Sequence, residues 1–203
     1  MRIRTLLICS IFFLSNTLLS QNSSGNSAPF VSNSFDSFKT GEWIKFRIHY
    51  GFFNASYATL ELQESTIKSE NVYKAVAIGR TTGIARLFFK VEDRYETYFN
   101  KNLVRPLKST RNIYEGGYTK NVEIEYDYSK ESATVNDIKN NKIKEVSIKE
   151  NVQDLISTFY YLRNHFDVEK LKINDFIRIT IFFDAENYNF RMKFLGYDNV
   201  KTK

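Results

Sequence analysis

The sequence predicts an α+β fold that is mainly β: a curved antiparallel meander or half-barrel with one amphipathic helix packed on it. Three observations carry that expectation. Apolar and polar residues alternate with period two in segment after segment from Ile44 to Leu195, the pattern of strands with one wet face. One long interval, Asn151 to His165, carries an apolar stripe at helical spacing instead. The chain also holds 18 Phe and 13 Tyr against 2 Pro and 8 Gly. Aromatics suit half-buried pleated surfaces, and scarce proline leaves long strands unbroken.

The elements follow in order. Residues 1–20 read as a signal peptide: Arg2 and Arg4, an apolar stretch from Leu6 to Leu19, then Ser20 before Gln21. That stretch is shorter than the roughly 20 residues that cross a bilayer as a permanent helix. Leu18 is bulky where a cleavage site favours a small residue, so an uncleaved anchor is the other reading. Residues 21–36 are rich in Ser and Asn without apolar periodicity and read as a flexible lead-in. A β-rich domain is expected over 37–203.

Its first strand sets Ile44, Phe46, Ile48 and Tyr50 against Lys45, Arg47 and His49. Ala58, Leu60 and Leu62 mark the inward face of a second, and Val72 to Ile78 form a third. A short helical turn is expected at Ile84 to Phe89. Val91, Tyr95 and Phe99 oppose Glu92, Arg94 and Glu96 in the next strand. Gly116-Gly117 then joins Leu107–Tyr114 to Val122–Tyr128 as a hairpin. Ser132–Ile138 pairs with Ile143–Lys149. After the helix, in which Asn151 is the expected N-cap, Phe176–Phe183 and Tyr188–Leu195 form a last hairpin around Asp184 to Asn187. The polar end after Gly196 supplies no closing element, so either the final edge is short and solvated or the domain continues past residue 203.

Composition narrows the chemistry. The net charge is +6, of which Arg2 and Arg4 supply two, and the remaining cations are scattered among Asp and Glu. A nucleic-acid binder concentrates its basic residues on one face; no nucleic-acid partner is expected. The single cysteine, Cys9, leaves with the signal, which removes thiol chemistry and disulfides from the exported chain. His49 and His165 are too far apart in sequence for helical or strand zinc spacing. Ser157 lies within the helix rather than on a strand-to-helix elbow, and no glycine-rich phosphate loop occurs. No catalytic residue, metal or cofactor is expected.

Binding stays open. The inner face, with Phe46, Ile48, Tyr50, Tyr95 and Tyr126 among its apolar residues, either closes over a solid core or leaves an apolar cavity under the helix. Within the helix, Asp154 places a carboxylate in the first turn, and Leu155, Ile156 and Phe159 form the expected buried stripe. Tyr160, Tyr161 and Arg163 crowd the far end. They either satisfy polar groups where helix meets sheet, or Tyr161 and Arg163 rim a pocket for an anionic head group. Phe52-Phe53 and Leu87-Phe88-Phe89 are candidate apolar patches for a membrane or protein partner.

Several residues also occur in a familiar order: Gly41-Glu42, Tyr50-Gly51, Gly83, Leu87 to Val91, Asp93 to Glu96, Pro106, Gly116 to Tyr118, and Asp154 to Arg163. In these the chain resembles the exported bacterial family called domain of unknown function 3108. The resemblance spans nearly all of the chain after the signal, and the helix motif with Asp154, Leu155, Ser157, Phe159 and Tyr160 is its most specific part. It implies a largely β fold in a Gram-negative envelope, especially among Bacteroidetes, in the periplasm or against the outer membrane. It implies no activity. Lipid or an envelope protein is the partner class this location brings.

Overall fold

A computed structural model describes residues 37–50 and 53–199, without the side chains of Tyr50, Phe53 and Val168. The signal peptide, the lead-in and Phe52 lie outside the described residues.

Eight strands pair in chain order into one antiparallel sheet. They are β1 Trp43–Tyr50, β2 Phe53–Ile67, β3 Glu70–Thr81, β4 Glu92–Asn100, β5 Pro106–Glu115, β6 Tyr118–Asp127, β7 Ser132–Asp137 and β8 Lys142–Ser147. Among the described residues the sheet is open: β1 pairs only with β2, and β8 only with β7. Between β3 and β4 lies the short helix α1, Gly83–Phe88. The long helix α2, Leu155–His165, follows β8. The last hairpin, β9 Phe176–Phe183 and β10 Glu186–Lys193, makes a two-stranded sheet of its own. It does not extend the meander; its Phe182 packs on the face of β6 and β7.

Hairpin turns pin the register. Gly116 and Gly117 both take positive φ, 56° and 96°, in the two-residue turn between Glu115 and Tyr118. Such turns need left-handed backbone at both central positions. The β9–β10 turn uses Asp184 and Ala185 at φ 49° and 62°, where alanine pays a steric penalty that glycine escapes.

Residues opposite each other across antiparallel strands share a face. Pairing Phe46 with Ala58, Ala58 with Gly79, Ala77 with Tyr95, and Tyr95 with Arg111 therefore places all of them on one side. This packed face is the predicted inner face. The other is polar and cross-linked by ions: Lys74–Glu96 at 2.9 Å, Arg94–Glu96 at 2.5 Å and Lys108–Glu123 at 2.8 Å.

Two clusters sit on the packed face. Under α2, Phe38, Leu60, Leu62, Ala75, Phe99, Val104 and Tyr160 interlock, with the Phe38 and Tyr160 rings edge to face at 4.9 Å. Under the β9–β10 hairpin, Val122, Ile124, Tyr126, Ala133, Val135, Val152 and Phe182 form the second.

The helix departs from expectation in two ways. Its N-cap is Asp154, not Asn151, and α2 starts at Leu155. Gln153 is drawn into β9 pairing instead: its N–H donates to Thr180 O at 2.9 Å, and Phe182 N–H donates to its carbonyl at 2.7 Å. An extended residue cannot also be helical, so the helix begins one residue past the cap. Its buried face is also rotated from the expected stripe. Ser157, Tyr160, Asn164 and His165 are buried, whereas Leu155 is 44% exposed and Ile156 and Phe159 are half-buried. The helix meets the sheet with a half-polar face.

Candidate functional site: an uncovered apolar trough

Helix α2 packs over one end of the packed face, against Leu60, Leu62, Ala75 and Phe99. The end near the β1–β2 turn and α1 is left uncovered. There Phe46 is 44% and Ile48 54% exposed, although both lie on the face that forms the core beneath α2 and the last hairpin. Beside Phe46 the paired positions are small: Ala58 on β2, then Gly79 on β3. Large side chains beside small ones make a trough. Tyr95, in the row of Leu60 and Ala77, is at its inner end, and Leu155 projects from the first turn of α2 nearby. A Cβ built on Gly79 meets only Asp93 Cβ, at 4.0 Å, so the trough floor is open.

The deep end of the trough is polar. Arg111, buried among β4 and β6 neighbours, ion-pairs with Asp184 of the last hairpin, which also holds Lys120. The Arg111 guanidinium lies 4.3 Å from the Phe183 ring centre. Burial raises the Tyr95 phenol above its ordinary pKa, and the nearby Asp93 carboxylate adds to this.

At Tyr95 a small recess of about 20 Å³ is lined also by Thr97, Arg111, Tyr126, Leu155 and Phe182. It has the volume of roughly one water molecule and is no substrate pocket. Asp154 caps α2 beside it: its Oδ1 accepts from Ile156 N–H at 2.9 Å and Ser157 N–H at 2.7 Å, while Ser157 Oγ accepts from Asp154 N–H at 2.9 Å. This is a capping box with serine in the place glutamate often takes. Burial pushes the Asp154 carboxyl up, against hydrogen bonds from Ser157, Thr97 and Ile156 that hold it down. Tyr126 Oη and Ser109 Oγ lie 3.3 Å apart, and burial keeps that phenol protonated far above neutrality. This polar seam separates the two clusters.

The structure brings together three of the seven residues predicted to bind: Phe46, Ile48 and Tyr95. The Tyr50 side chain lies outside the described residues. Tyr126 is core, its ring against Phe182 at 5.9 Å, because its strand lies under the last hairpin. Tyr161 turns to a different cleft, beside Lys149 and Arg178. Arg163 does not rim the trough: both its Nη atoms donate to Glu42 carboxylate oxygens at 2.7 Å, and Nη2 also donates to Ser37 O at 2.7 Å. It fastens the segment before β1 to the helix. Of the helix motif, Asp154 and Ser157 cap, Tyr160 fills the core, Phe159 flanks Arg163 at 5.0 Å, and Leu155 faces the trough. Sequence reasoning missed Arg111 and Asp184. The legible sign was an arginine on the apolar face of β5, between Ser109 and Ile113.

The fold and the trough define a β-sheet protein with a built apolar surface and, among the described residues, no cluster of three metal-ligating side chains. No described helix is long and apolar enough to cross a membrane. The chain belongs to the family described as Protein of unknown function (DUF3108), which matches residues 45–203. No curated protein and no solved structure matches it.

Proposed function

We propose that this is an exported, non-enzymatic envelope protein that holds an apolar or amphipathic envelope component in the trough between α1 and the first turn of α2. One observation carries the reading: Phe46 and Ile48, on the face that forms the core beneath α2 and the last hairpin, stand 44% and 54% exposed beside Ala58 and Gly79. Leaving about half of each of these two large apolar side chains in solvent forgoes about half of the roughly 1.5–3 kcal/mol that full burial of each would return. A ligand that covers them recovers part of it. The polar end at Arg111 and Asp184 suits a polar head. Export rests on the leader pattern of residues 1–20, and a Gram-negative periplasm or outer-membrane surface is the location we assign.

The test is native mass spectrometry of the full-length protein taken gently from its own envelope fraction. Wild type is expected to carry a co-purifying lipophile that Gly79→Leu, which fills the trough floor, excludes. Bare polypeptide for both, or identical loading, contradicts the proposal. N-terminal sequencing of the same sample is expected to begin at Gln21.

A second reading has its own support. Leu87 and Phe88 of α1 are 84% and 85% exposed, with Ile84 at 60% and Phe89 at 53% beside them, an apolar patch of the kind that marks interaction sites. In that reading the protein is an envelope scaffold that engages a protein partner through α1. Leu87→Ser with Phe88→Ser then abolishes capture of that partner while trough loading persists.

A further inference from the structure

Alternate turns of an antiparallel meander fall at the same end of its sheet. One end of this sheet therefore carries the β1–β2 turn, α1, the Gly116-Gly117 turn and the β7–β8 turn; the other carries the turns at 68–69, 101–105 and 128–131. The two ends show solvent different surfaces. In the turns of the second, Leu103 is the one large apolar side chain exposed, at 43%. At the first, Ile84, Leu87, Phe88 and Phe89 all stand open, joined by Tyr118 at 56%.

Helix α1 is held in place although none of its residues is buried. Thr82 N–H donates to Ala55 O at 3.1 Å, Phe89 N–H to Ala85 O at 2.9 Å, and Gly116 N–H to Lys90 O at 2.8 Å. The Phe89 ring lies so close to Gly116 that a Cβ there would collide with it. The apolar tip is thus seated on the sheet by its flanks and by the neighbouring turn.

Its surround is basic and amphipathic. Residues 80–90 contain Arg80, Arg86 and Lys90 and no carboxylate. Glu92, opposite Arg80 in the register, ion-pairs with both Arg86 and Lys90 at 2.7 Å, so three cations share one carboxylate. Asp93, opposite Gly79, and Glu115, in step with Arg111, belong to the trough side of the sheet instead. Lys90 Nζ lies 4.9 Å from the Tyr114 ring centre, and Lys139 Nζ 5.8 Å from that of Tyr118. Tyrosine and lysine around an apolar tip is the composition of a surface at a membrane–water boundary.

We propose that α1 and the Gly116-Gly117 turn dock on an anionic lipid bilayer. Leu87 and Phe88 enter the acyl boundary, Tyr114 and Tyr118 lie at head-group depth, and Arg80, Arg86 and Lys90 meet phosphate oxyanions. Charge names the occupant: interfacial binding grows with the apolar area inserted and with attraction of cations to anionic lipid. A protein partner would need carboxylates set at matching points, whereas an anionic bilayer presents negative charge throughout its surface. The trough opens at this same end, so docking sets its mouth against lipid. The inference does not require the trough to hold a ligand, and it puts a bilayer in the place of the protein partner of the second reading.

The test is cosedimentation of the full-length protein, taken from its own envelope fraction, with phosphatidylglycerol vesicles and with phosphatidylcholine vesicles. Binding is expected to favour the first, to weaken with added salt, and to fall at least tenfold with Leu87→Ser and Phe88→Ser. Arg86→Gln with Lys90→Gln is expected to weaken it by about tenfold on phosphatidylglycerol alone. A second readout reports on α1 itself. The chain has a single Trp, so Leu87→Trp with Trp43→Phe moves its one indole into the tip, where brominated acyl chains are expected to quench it. Gly79→Leu is expected to leave vesicle binding unchanged, which separates this surface from the trough. An unquenched indole, or equal affinity for both vesicle types, overturns the proposal. So does capture of a protein partner, lost with Leu87→Ser and Phe88→Ser, by a chain that ignores vesicles; that result returns the patch to the second reading.

Discussion

The two ends of the packed face share one strand pattern and meet different fates. Beneath α2, Leu62, Ala75 and Phe99 are sealed from solvent; in the trough, Phe46 and Ile48 on the same side of the same sheet stand open. Alternation sets only which side of a strand a residue occupies. Whether that side becomes core depends on what is laid over it, and α2 is eleven residues long, too short to cover both ends. An inward register position therefore does not by itself make a residue core; the element laid over it decides.

The covered end is where substitutions cost most. Phe99→Ala removes a fully buried ring that meets Tyr160 at 5.3 Å and is expected to destabilise by about 3–5 kcal/mol, read as a shift in the urea midpoint. A loss near that of a surface residue would erase the distinction between the ends. At the open end, Phe46→Ser with Ile48→Ser removes side chains that are already about half exposed and is expected to cost about 1–2 kcal/mol for the pair, well below Phe99→Ala alone. Arg163→Ala severs the clamp to Glu42 and Ser37. Because the pair is partly exposed, the expected cost is about 1 kcal/mol, shrinking with added salt; Glu42→Ala should cost no more when combined with it.

Acid titration probes the same end. His165 is buried beneath stacked Tyr161, and burial lowers its pKa below the ordinary 6.5. The unfolded chain then takes the proton first. His165 thus contributes stability that is fully present above about pH 6.5 and is lost as pH falls toward its lowered folded value. His165→Gln is expected to flatten the stability curve in that window, measured by denaturation at a series of pH values. An unchanged slope would mean that the imidazole is not shielded.

Between the ends, the last hairpin tests how Asp184 is presented to Arg111. Ala185 sits at φ 62°, so Ala185→Gly relieves strain and is expected to stabilise by about 0.5–1 kcal/mol, less than the full steric penalty because glycine loses more entropy on folding. A drop in melting temperature would show the turn to be relaxed.

Much of this architecture was legible in the residues. The clean alternation of Val122, Ile124 and Tyr126 located β6, and Gly116-Gly117 located its turn, because backbone chemistry at those points is local. The placement of the last hairpin was not legible. Phe176–Phe183 reads as one more strand of the meander, and only tertiary packing sets its Phe182 across β6 and β7 rather than at an edge. The helix start failed for the same reason: Asn151 is a sound local cap, but the β9 backbone captures Gln153. The site was half legible. Face assignment gave Phe46, Ile48 and Tyr95, whereas Tyr126 and Arg163 were removed from it by the hairpin above one and Glu42 beside the other. Neither partner is near them in sequence.

The most direct test of the open trough is a fluorescence titration with the neutral lipophilic probe N-phenyl-1-naphthylamine. The protein is expected to give a saturable enhancement that long-chain lipid displaces and that Phe46→Ser with Ile48→Ser abolishes while the far-ultraviolet circular dichroism spectrum stays that of the folded protein. A non-saturating signal, or one the double substitution leaves intact, contradicts the trough as a binding surface.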